Sequence, residues 1–479
     1  MPTTRRLRAD RPASPALEPG IAAIRREMDL PDAFPPEVEA AARAAAASPR
    51  LPAFDRTDLP LVTVDPPGAM DLDQALHVER DGDGYLVHYA IADVGAFVRP
   101  GDPVDLEANR RGQTLYGAGD SIPLHPMVLS EDGASLLPGR ERPALLWTIT
   151  LDRIGEGVAV DVRRAMVRSR ERFDYAGVQR AIDAGEAGSM WQLLREVGEL
   201  RMQRERRRGG VSLPLPDQEI RVDGERWRLE FRAREPVEDW NEQVSLLTGM
   251  AAAHLMTLHG VGLLRTLPEA DPHALERLRR TARALAIDWP RERPYPDFIR
   301  SLDPRDPAHV AMLVSATTVL RGAGYAAFEG ALPEHPMHAA LASTYTHCTA
   351  PLRRLVDRYT GELCLALCAG EAPPAWVLEA LPGLPGTMAE SDRRAGRYQR
   401  AVIDLAESLV LARRTGERFR ASIVEVERRD PRRGTIMLHA LAIEARVEGE
   451  QPLPLGESVD VELVEADPAR RRIRFRVVA

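Results

Sequence analysis

The chain has 479 residues and a formal net charge of −8, with 44% hydrophobic and 28% charged residues. This length allows two to four domains with a large core, and the composition excludes a disordered or fibrous protein. The acidic balance argues weakly against a nucleic-acid partner, although a basic channel inside an acidic shell is compatible with it.

The basic side chains are all arginine, because the sequence contains no lysine. Phosphate contacts would therefore come from planar guanidinium groups or from neutral donors. Three cysteines, Cys348, Cys364 and Cys368, are too few for a disulfide framework and favour a cytoplasmic location. The most apolar stretch, Val244–Leu264, carries polar side chains, so we expect a buried helix and no membrane association. The N-terminus has arginines but no apolar segment, so we expect no signal peptide.

The N-terminal region is rich in arginine, proline and alanine, and residues 1–20 are expected to be a disordered arm. Helices are predicted near Gly20–Met28 and Pro36–Ala47, which makes residues 1–50 an arm followed by a small helical module. This module is either a helix-turn-helix element or a simple connection to the next domain.

Strands precede helices in the middle of the chain. Leu61–Val64, Tyr85–Ile91 and Leu145–Leu151 have the alternating or β-branched character of strands. Helical periodicity dominates afterwards, in residues 191–206, 237–264, 273–286, 307–320, 351–368 and 388–413. The predicted fold class is therefore α+β for residues 51–414, with helices packed against a mixed sheet.

Short β segments follow Gly416. Five of them lie within about sixty residues, at Phe419–Val426, Thr435–Leu438, Ile443–Val447, Ser458–Val464 and Arg472–Val478. This density of strands predicts a small OB-fold barrel for residues 415–479.

The most informative segment is an acidic turn after a predicted strand. Asp65 is followed by Pro66-Pro67-Gly68, and then by Asp71 and Asp73, which project the same way if the backbone is extended. Three carboxylates at one strand end repel each other unless a cation lies between them, and magnesium prefers such oxygen ligands. A solvated acidic turn is the alternative.

A second segment combines a threonine, a proline and two arginines. Thr349 is a plausible helix N-cap, and Arg353 and Arg354 would lie early in the helix, where they could face an anion. Adjacent arginines are more often a solvated helix face.

Both segments resemble signatures of the RNase II/RNase R, or RNB, family. The first resembles an aspartate followed six residues later by Asp-x-Asp-Asp, with Gln74 in place of the last aspartate. The second resembles Thr-Ser-Pro-Ile-Arg-Arg-Tyr-x-Asp, with Ala350 for serine and Leu355 for tyrosine. Only about fifty residues precede the resemblance, too few for the two cold-shock barrels that the family usually has.

The resemblance implies an RNB catalytic domain with an RNA channel and an S1-like barrel. It implies a metal site of Asp65, Asp71, Asp73 and Gln74 that binds Mg²⁺, with Mn²⁺ as a substitute. Asp73 and Asp71 would be catalytic, with Asp73 orienting the attacking water.

The same resemblance implies how the substrate is bound. Arg353 would contact the scissile phosphate, Tyr116 would stack on a base, Arg111 would bind RNA, and Gln399 would hold the terminal ribose. Phe419 is the candidate for base stacking in the barrel.

The expected activity is processive 3′→5′ hydrolysis of single-stranded RNA to nucleoside 5′-monophosphates by a monomeric enzyme. The alternative is an RNA-binding protein of the same fold with weakened catalysis, because Gln74 and Gln399 depart from the family pattern. A helix-turn-helix DNA-binding regulator is a more distant alternative.

Overall fold

The structure is a computed structural model, and it describes part of the chain. The described residues are 7–9, 17–118, 121–211, 213, 217–223, 226–232, 234–303, 306–317, 319–438, 441 and 443–478. Most of the predicted disordered arm lies outside these residues.

The first group of elements, in chain order, is β1 (Leu7–Ala9), α1 (Glu18–Glu27), α2 (Pro36–Ala47), β2 (Thr63–Val64), β3 (Gln74–Asp81), β4 (Gly84–Ala92), α3 (Pro103–Arg111), β5 (Leu115–Tyr116), β6 (Ser121–Ile122), β7 (Glu141–Leu151), β8 (Gly157–Arg168), β9 (Arg172–Phe173), α4 (Tyr175–Asp183) and α5 (Ser189–Arg208). A 3₁₀ turn at Val94–Ala96 and a π-helical segment at Val128–Gly133 lie among them.

The second group is β10 (Asp217–Asp223), β11 (Arg226–Arg232), α6 (Pro236–His259), β12 (Val261–Thr266), α7 (Pro272–Ala284), α8 (Tyr295–Arg300), α9 (Pro307–Ala316), β13 (Gly324–Glu329), α10 (Leu355–Ala369), α11 (Ala375–Ala380), α12 (Leu384–Leu411), β14 (Arg418–Val426), β15 (Arg433–Leu438), β16 (Ile443–Glu448), β17 (Ser458–Asp467) and β18 (Arg472–Val477).

An antiparallel sheet of four strands forms the centre of the larger part, in the order β3-β4-β7-β8. Tyr89 of β4 pairs with Leu76 on one side and Trp147 on the other, and all three are at most 1% exposed. Burial of large side chains at paired positions stabilises the sheet and fixes its register. The predicted strands at residues 85–91 and 145–151 are confirmed.

Helix α6 packs beside this sheet and is buried along most of its length. The predicted helix extended to Leu264, but α6 ends at Gly260, whose φ of 71° terminates the helix in the left-handed conformation. The residues that follow form β12, which pairs with β13. In the part of the chain that the structure describes, no helix has both the length and the hydropathy needed to cross a bilayer.

The C-terminal strands close into a barrel in the order β14-β15-β16-β18-β17. Gly416, with a φ of 87°, separates it from the preceding helical region, and the buried side chains of Ile423, Ile436, Val461 and Phe475 fill its interior. The α+β fold class with a terminal barrel is confirmed.

The two N-terminal helices are anchored to different parts of the protein. Ile21 and Ile24 of α1 share a hydrophobic cluster with Leu405 and the barrel. Val38 and Ala42 of α2 belong to a separate cluster against the central sheet. Each helix therefore packs against a different part of the protein, and the helix-turn-helix role of this module stays a prediction.

The hairpin β10–β11 between α5 and α6 was not among the predicted elements. Its strands pair antiparallel, and the short strand β1 joins β10 in parallel register. The alternation of charged and apolar residues in Arg226–Arg232 was the available signal for a strand.

Candidate active site

The first acidic residue is placed by a strand and a turn. Asp65 follows the buried strand Thr63–Val64, and its amide donates to the carbonyl oxygen of Phe173 at 3.1 Å. Gly68 adopts a φ of 83°, which lets the chain reverse direction with little strain. The hydrogen bond to Phe173 and the turn at Gly68 therefore position the backbone of Asp65.

The next two acidic residues flank a buried leucine. Leu72 is fully buried, and its amide donates to the hydroxyl of Ser135 at 3.0 Å. Asp71 and Asp73 lie on either side of it and interact electrostatically with each other. Asp73 is only 4% exposed, so its carboxylate lies inside the protein at the start of β3.

The arginine-containing turn precedes α10. This helix begins at Leu355 with Arg354 as its N-cap, so the prediction that Thr349 caps the helix is wrong. Asp357 holds the turn, because its carboxylate accepts from the amide of Ala350 at 2.6 Å and from Arg354 at 2.8 and 2.9 Å. This leaves Arg353 on the turn itself.

The two segments meet although they are about 280 positions apart in the sequence. The amide of Leu352 donates to Oδ1 of Asp73 at 2.8 Å. Nε of Arg353 lies 3.2 Å from Oδ2 of the same carboxylate. One aspartate therefore contacts both the backbone and the charged side chain of the turn.

The carboxylates near this junction carry raised pKa values. Burial raises the pKa of Asp73 to about 8 and that of Asp65 to about 7, with a further contribution from the charge of Asp71, while Arg353 acts in the opposite direction. Buried negative charge of this kind is unfavourable unless additional positive charge is supplied. The site therefore favours a cation.

Arg353 remains charged in this surrounding. Burial lowers the pKa of its guanidinium, but the neighbouring Asp73 and the other nearby anionic groups raise it more, so the net shift is upward. Its side chain is 39% exposed, which leaves part of the guanidinium accessible to a ligand.

Tyr116 provides an aromatic surface beside these charges. Its side chain is 46% exposed, although burial raises the pKa of its hydroxyl and that hydroxyl donates to Asp71 at 3.3 Å. The hydroxyl of Tyr116 also interacts with Arg353, so the side chains of Tyr116, Asp71 and Arg353 lie together. These three side chains and Asp73 are called the recess below.

A backbone ladder connects Tyr116 to the arginine turn. The amide of Thr114 donates to the carbonyl of Arg353 at 3.0 Å, and the amide of Leu355 donates to the carbonyl of Gly112 at 3.0 Å. A bridge between Gln113 and Arg354 lies between these bonds.

Arg111 does not have the role that the sequence predicted. It is 6% exposed, and its guanidinium donates to Glu107 at 2.8 Å, to the carbonyl of Pro123 at 3.0 Å and to the carbonyl of Ala33 at 3.2 Å. Phe34 covers one face of the guanidinium, whose centre lies 3.7 Å from the ring. Arg111 stabilises the protein interior and is not presented to RNA.

Gln74 also differs from the prediction. Its amide nitrogen donates to the carbonyl of Thr349 at 2.6 Å, and its amide oxygen accepts from the hydroxyl of Tyr89 at 2.7 Å. The oxygen that was predicted to bind a metal is therefore directed at a tyrosine.

The long helix α12 contains Gln399, the predicted ribose contact, and a residue that sequence reasoning missed. Asp392 lies two turns before Gln399 and is 37% exposed. Its carboxylate accepts from Gln113 and from Arg265, both at 3.1 Å. Because Gln113 pairs with Arg354, Asp392 is connected to the arginine turn. The available signal in the sequence was a carboxylate at the start of the arginine-rich residues 391–400.

The three aspartates among the four predicted metal ligands do not form a complete cage. Among the described residues, no group of three or more histidine, cysteine, aspartate or glutamate side chains is arranged to hold a metal ion. Asp65, Asp71 and Asp73 nevertheless interact electrostatically. Magnesium is commonly bound by one or two carboxylates together with substrate phosphate and water, and these buried oxygen donors fit that mode.

Comparisons with known proteins show which sequences and folds this chain is similar to. Ribonuclease R of Escherichia coli is 28% identical over 321 residues, which cover 63% of this chain and 39% of that protein. The chain thus spans well under half the length of this curated relative. The structure of Mycoplasma genitalium RNase R in complex with ribose methylated single-stranded RNA has a TM-score of 0.84 at 20% identity, covering 96% of this chain and 77% of that one.

A further structural neighbour is yeast Ssd1, described as a pseudonuclease, with a TM-score of 0.71, 16% identity and coverage of 96% of this chain and 58% of that one. Residues 54–367 match the RNB domain family, and residues 417–478 match the RNase II-type exonuclease C-terminal S1 domain. The chain therefore belongs to the RNB family and combines an RNB domain with an S1 domain of the RNase II type.

Proposed function

We propose that this protein is a 3′→5′ exoribonuclease that hydrolyses single-stranded RNA processively to nucleoside 5′-monophosphates and depends on Mg²⁺, with Mn²⁺ as a substitute. The observation that carries the proposal is the contact of Asp73 with both Leu352 and Arg353. It unites the acidic strand and the arginine turn in one recess.

A divalent cation fits this recess because the carboxyl groups of Asp73, which is buried, and Asp65, which is half-buried, have raised pKa values. Asp65, Asp71 and Asp73 would hold it together with phosphate oxygens of the substrate. When bound, such an ion polarises the phosphodiester and lowers the pKa of a coordinated water.

The side chains of the protein supply the remaining functions. Asp73 orients the water for in-line attack, and Arg353 stabilises the negative charge that develops on the phosphoryl oxygens. The exposed ring of Tyr116 stacks on a base beside the scissile bond. The 3′-oxygen of the preceding nucleotide then leaves with a proton, which releases a nucleoside 5′-monophosphate.

Binding of the RNA end extends from the arginine turn towards α12. Asp392 is joined to the turn through Gln113, and its carboxylate would accept hydrogen bonds from ribose hydroxyl groups. We propose this residue for the ribose contact, and Gln399 remains the prediction from sequence.

The test is digestion of 5′-labelled oligo(A) by the purified protein with Mg²⁺ and with EDTA. We expect a ladder of shortened products with Mg²⁺ only, and the released nucleotide should be AMP carrying a 5′-phosphate. The Asp73→Asn variant should lose activity by about 10³-fold while still binding RNA, because the orienting carboxylate is removed. Digestion at the parent rate by this variant would refute the assignment.

A second candidate function is RNA binding with little or no catalysis. The contact of Gln74 with Tyr89 favours it, because it removes one expected ligand from the metal site, and the similarity to Ssd1 gives a precedent for the fold. Intact RNA after incubation with Mg²⁺, together with tight binding, would support this candidate.

A monomeric state and a cytoplasmic location are part of the same proposal. The three cysteines are free thiols, and a reducing compartment is consistent with them. Light scattering of the purified protein tests the first point, and imaging of the tagged protein in its own cell tests the second.

A further inference from the structure

Position 74 carries a glutamine in a signature that otherwise has an aspartate there. Its side chain lies at the junction between the acidic strand and the arginine turn. The amide nitrogen donates to the carbonyl of Thr349 at 2.6 Å across 275 positions of sequence, and the amide oxygen accepts from Tyr89 at 2.7 Å. Both polar atoms of the amide are thus used inside the protein.

The orientation of this amide is fixed by its partners. The carbonyl of Thr349 can only accept a hydrogen bond, so the nitrogen of Gln74 must face it. The hydroxyl of Tyr89 then donates to the oxygen, and Tyr89 is fully buried in the central sheet. The alternative orientation would set the amide oxygen against the Thr349 carbonyl.

The carbonyl that Gln74 binds belongs to the segment that carries Arg353. The hydroxyl of Thr349 lies 2.8 Å from that of Ser245 on α6, so helix and turn are joined at this residue. One position later the amide of Ala350 donates to Asp357. Gln74 therefore connects the central sheet to the turn at its first residue.

A carboxylate at position 74 could not make the same connection. It could accept from Tyr89, but it has no hydrogen to donate to Thr349, and its charge would repel the carbonyl oxygen. A carboxylate at this place would hold the turn only through a cation that both oxygens bind. The amide makes the connection directly.

We propose that Gln74 is a positioning residue that holds the arginine turn against the acidic strand without a divalent cation. The phosphate-binding side of the recess is consequently assembled in the metal-free protein, and the cation is held by Asp65, Asp71 and Asp73 alone. This inference rests on the proposed function for the role of the recess, but its test does not require hydrolysis.

The test compares Gln74→Glu with the parent in EDTA at about pH 9, so that the introduced carboxyl group is ionised and has no hydrogen to donate. We expect the melting temperature of the variant to fall by about 2–4 °C and its affinity for fluorescent oligo(A) to weaken by about tenfold, because a buried carbonyl loses its donor. Excess Mg²⁺ should raise the melting temperature of the variant more than that of the parent.

The matched control is Gln192→Glu. Gln192 is exposed on α5 and also donates to a backbone carbonyl, that of Ala187 at 3.3 Å. Because this bond is accessible to water, the control should melt and bind RNA like the parent. A second variant, Tyr89→Phe, removes the bond from the Tyr89 hydroxyl to the amide oxygen together with the interaction of that hydroxyl with Ser245. We expect a smaller fall in melting temperature and in RNA affinity than for Gln74→Glu, and this variant serves as the test if Gln74→Glu fails to fold.

Two results would overturn the inference. One is equal melting and equal RNA affinity of Gln74→Glu, Tyr89→Phe and parent in EDTA. The other is a parent that binds oligo(A) only after Mg²⁺ is added. If the parent instead binds RNA in EDTA but never releases nucleotides with Mg²⁺, the proposed function fails while the role of Gln74 stands.

Discussion

Ion pairs near the candidate active site and in the C-terminal barrel differ in their exposure. Arg358 and Asp105, which support the arginine turn from α10 and α3, have side-chain exposures of 4% and 8%. Arg420 and Asp460 of the barrel pair at 3.3 Å with exposures of 64% and 57%. A buried pair is costly to break because the remaining charge stays unpaired, whereas an exposed pair contributes little.

This difference implies that the two regions tolerate substitution of their charged residues to different degrees. The region around the recess depends on specific partners that are far apart in sequence, such as Arg358 and Asp105. The barrel depends on its apolar interior, and its surface charges can be exchanged. The four predictions below test this contrast at matched positions, from the largest expected effect to the smallest.

The first prediction concerns the buried pair itself. Asp105→Ala should lower the free energy of unfolding by about 3–5 kcal/mol, because Arg358 loses its partner and the amide of Gly101 loses its acceptor. Asp460→Ala should cost less than about 1 kcal/mol. Thermal and urea unfolding measure the free energy of unfolding of both variants. Similar losses in Asp105→Ala and Asp460→Ala would contradict the expected difference between buried and exposed ion pairs.

The second prediction concerns charge geometry in the recess. Arg353→Lys keeps the charge but loses the planar guanidinium, so kcat should fall by about 10²–10³-fold. Arg420→Lys in the barrel should leave kcat unchanged. Single-turnover digestion of labelled RNA separates this chemical effect from binding, and an active Arg353→Lys variant would show that a point charge suffices.

The third prediction concerns base stacking. Tyr116→Leu should weaken binding of single-stranded RNA by about 1–3 kcal/mol, while Tyr116→Phe should retain the stacking surface. Phe419→Leu in the barrel should have a smaller effect on binding, since Phe475 packs edge-on against Phe419 and Arg414 lies 4.6 Å from its ring centre. Fluorescence anisotropy measures the RNA affinity of all three variants. A larger loss of affinity for Phe419→Leu than for Tyr116→Leu would contradict the prediction.

The fourth prediction concerns pH. In the metal-free protein, burial raises the pKa of Asp65 to about 7 and of Asp73 to about 8, above the ordinary value of 3.8. Stability from these protonated groups is therefore lost as pH rises towards 8. Mg²⁺ should raise the melting temperature more at pH 8 than at pH 6.

The Asp73→Asn variant is the control for the pH effect. It should show a smaller dependence of the Mg²⁺ effect on pH, because the titrating carboxyl with the higher pKa has been removed. An exposed carboxylate variant, Asp460→Asn, should behave like the parent. If Mg²⁺ raises the melting temperature of the parent equally at pH 6 and pH 8, the binding of the cation is not linked to the release of protons.

The sequence predicted those features that depend on local pattern or on a family signature. The strands of the barrel follow from short β-branched segments, and the pairing of Asp73 with the segment around Arg353 follows from two signatures in the expected order. Helix ends were predicted less well. Gly260 was read as part of an apolar helix, although its left-handed conformation ends α6.

The residues that were misassigned are those whose partners lie far away in sequence. Arg111 was taken for an RNA contact because it lies in a matching segment, but its partners at Ala33 and Pro123 bury it. Gln74 was taken for a metal ligand because it stands at the position of the last aspartate in the family signature. Its actual partner, the carbonyl of Thr349, is a backbone atom that no residue pattern identifies.

The ladder between Thr114 and Arg353 has a mechanical consequence. Because the segment that carries the ring of Tyr116 and the turn that carries the guanidinium of Arg353 are hydrogen-bonded to each other, a shift of one would move the other. If the protein trims RNA as proposed, an abasic site would leave Tyr116 without a base to stack on while Arg353 still meets a phosphate. Trimming should therefore pause at such a lesion.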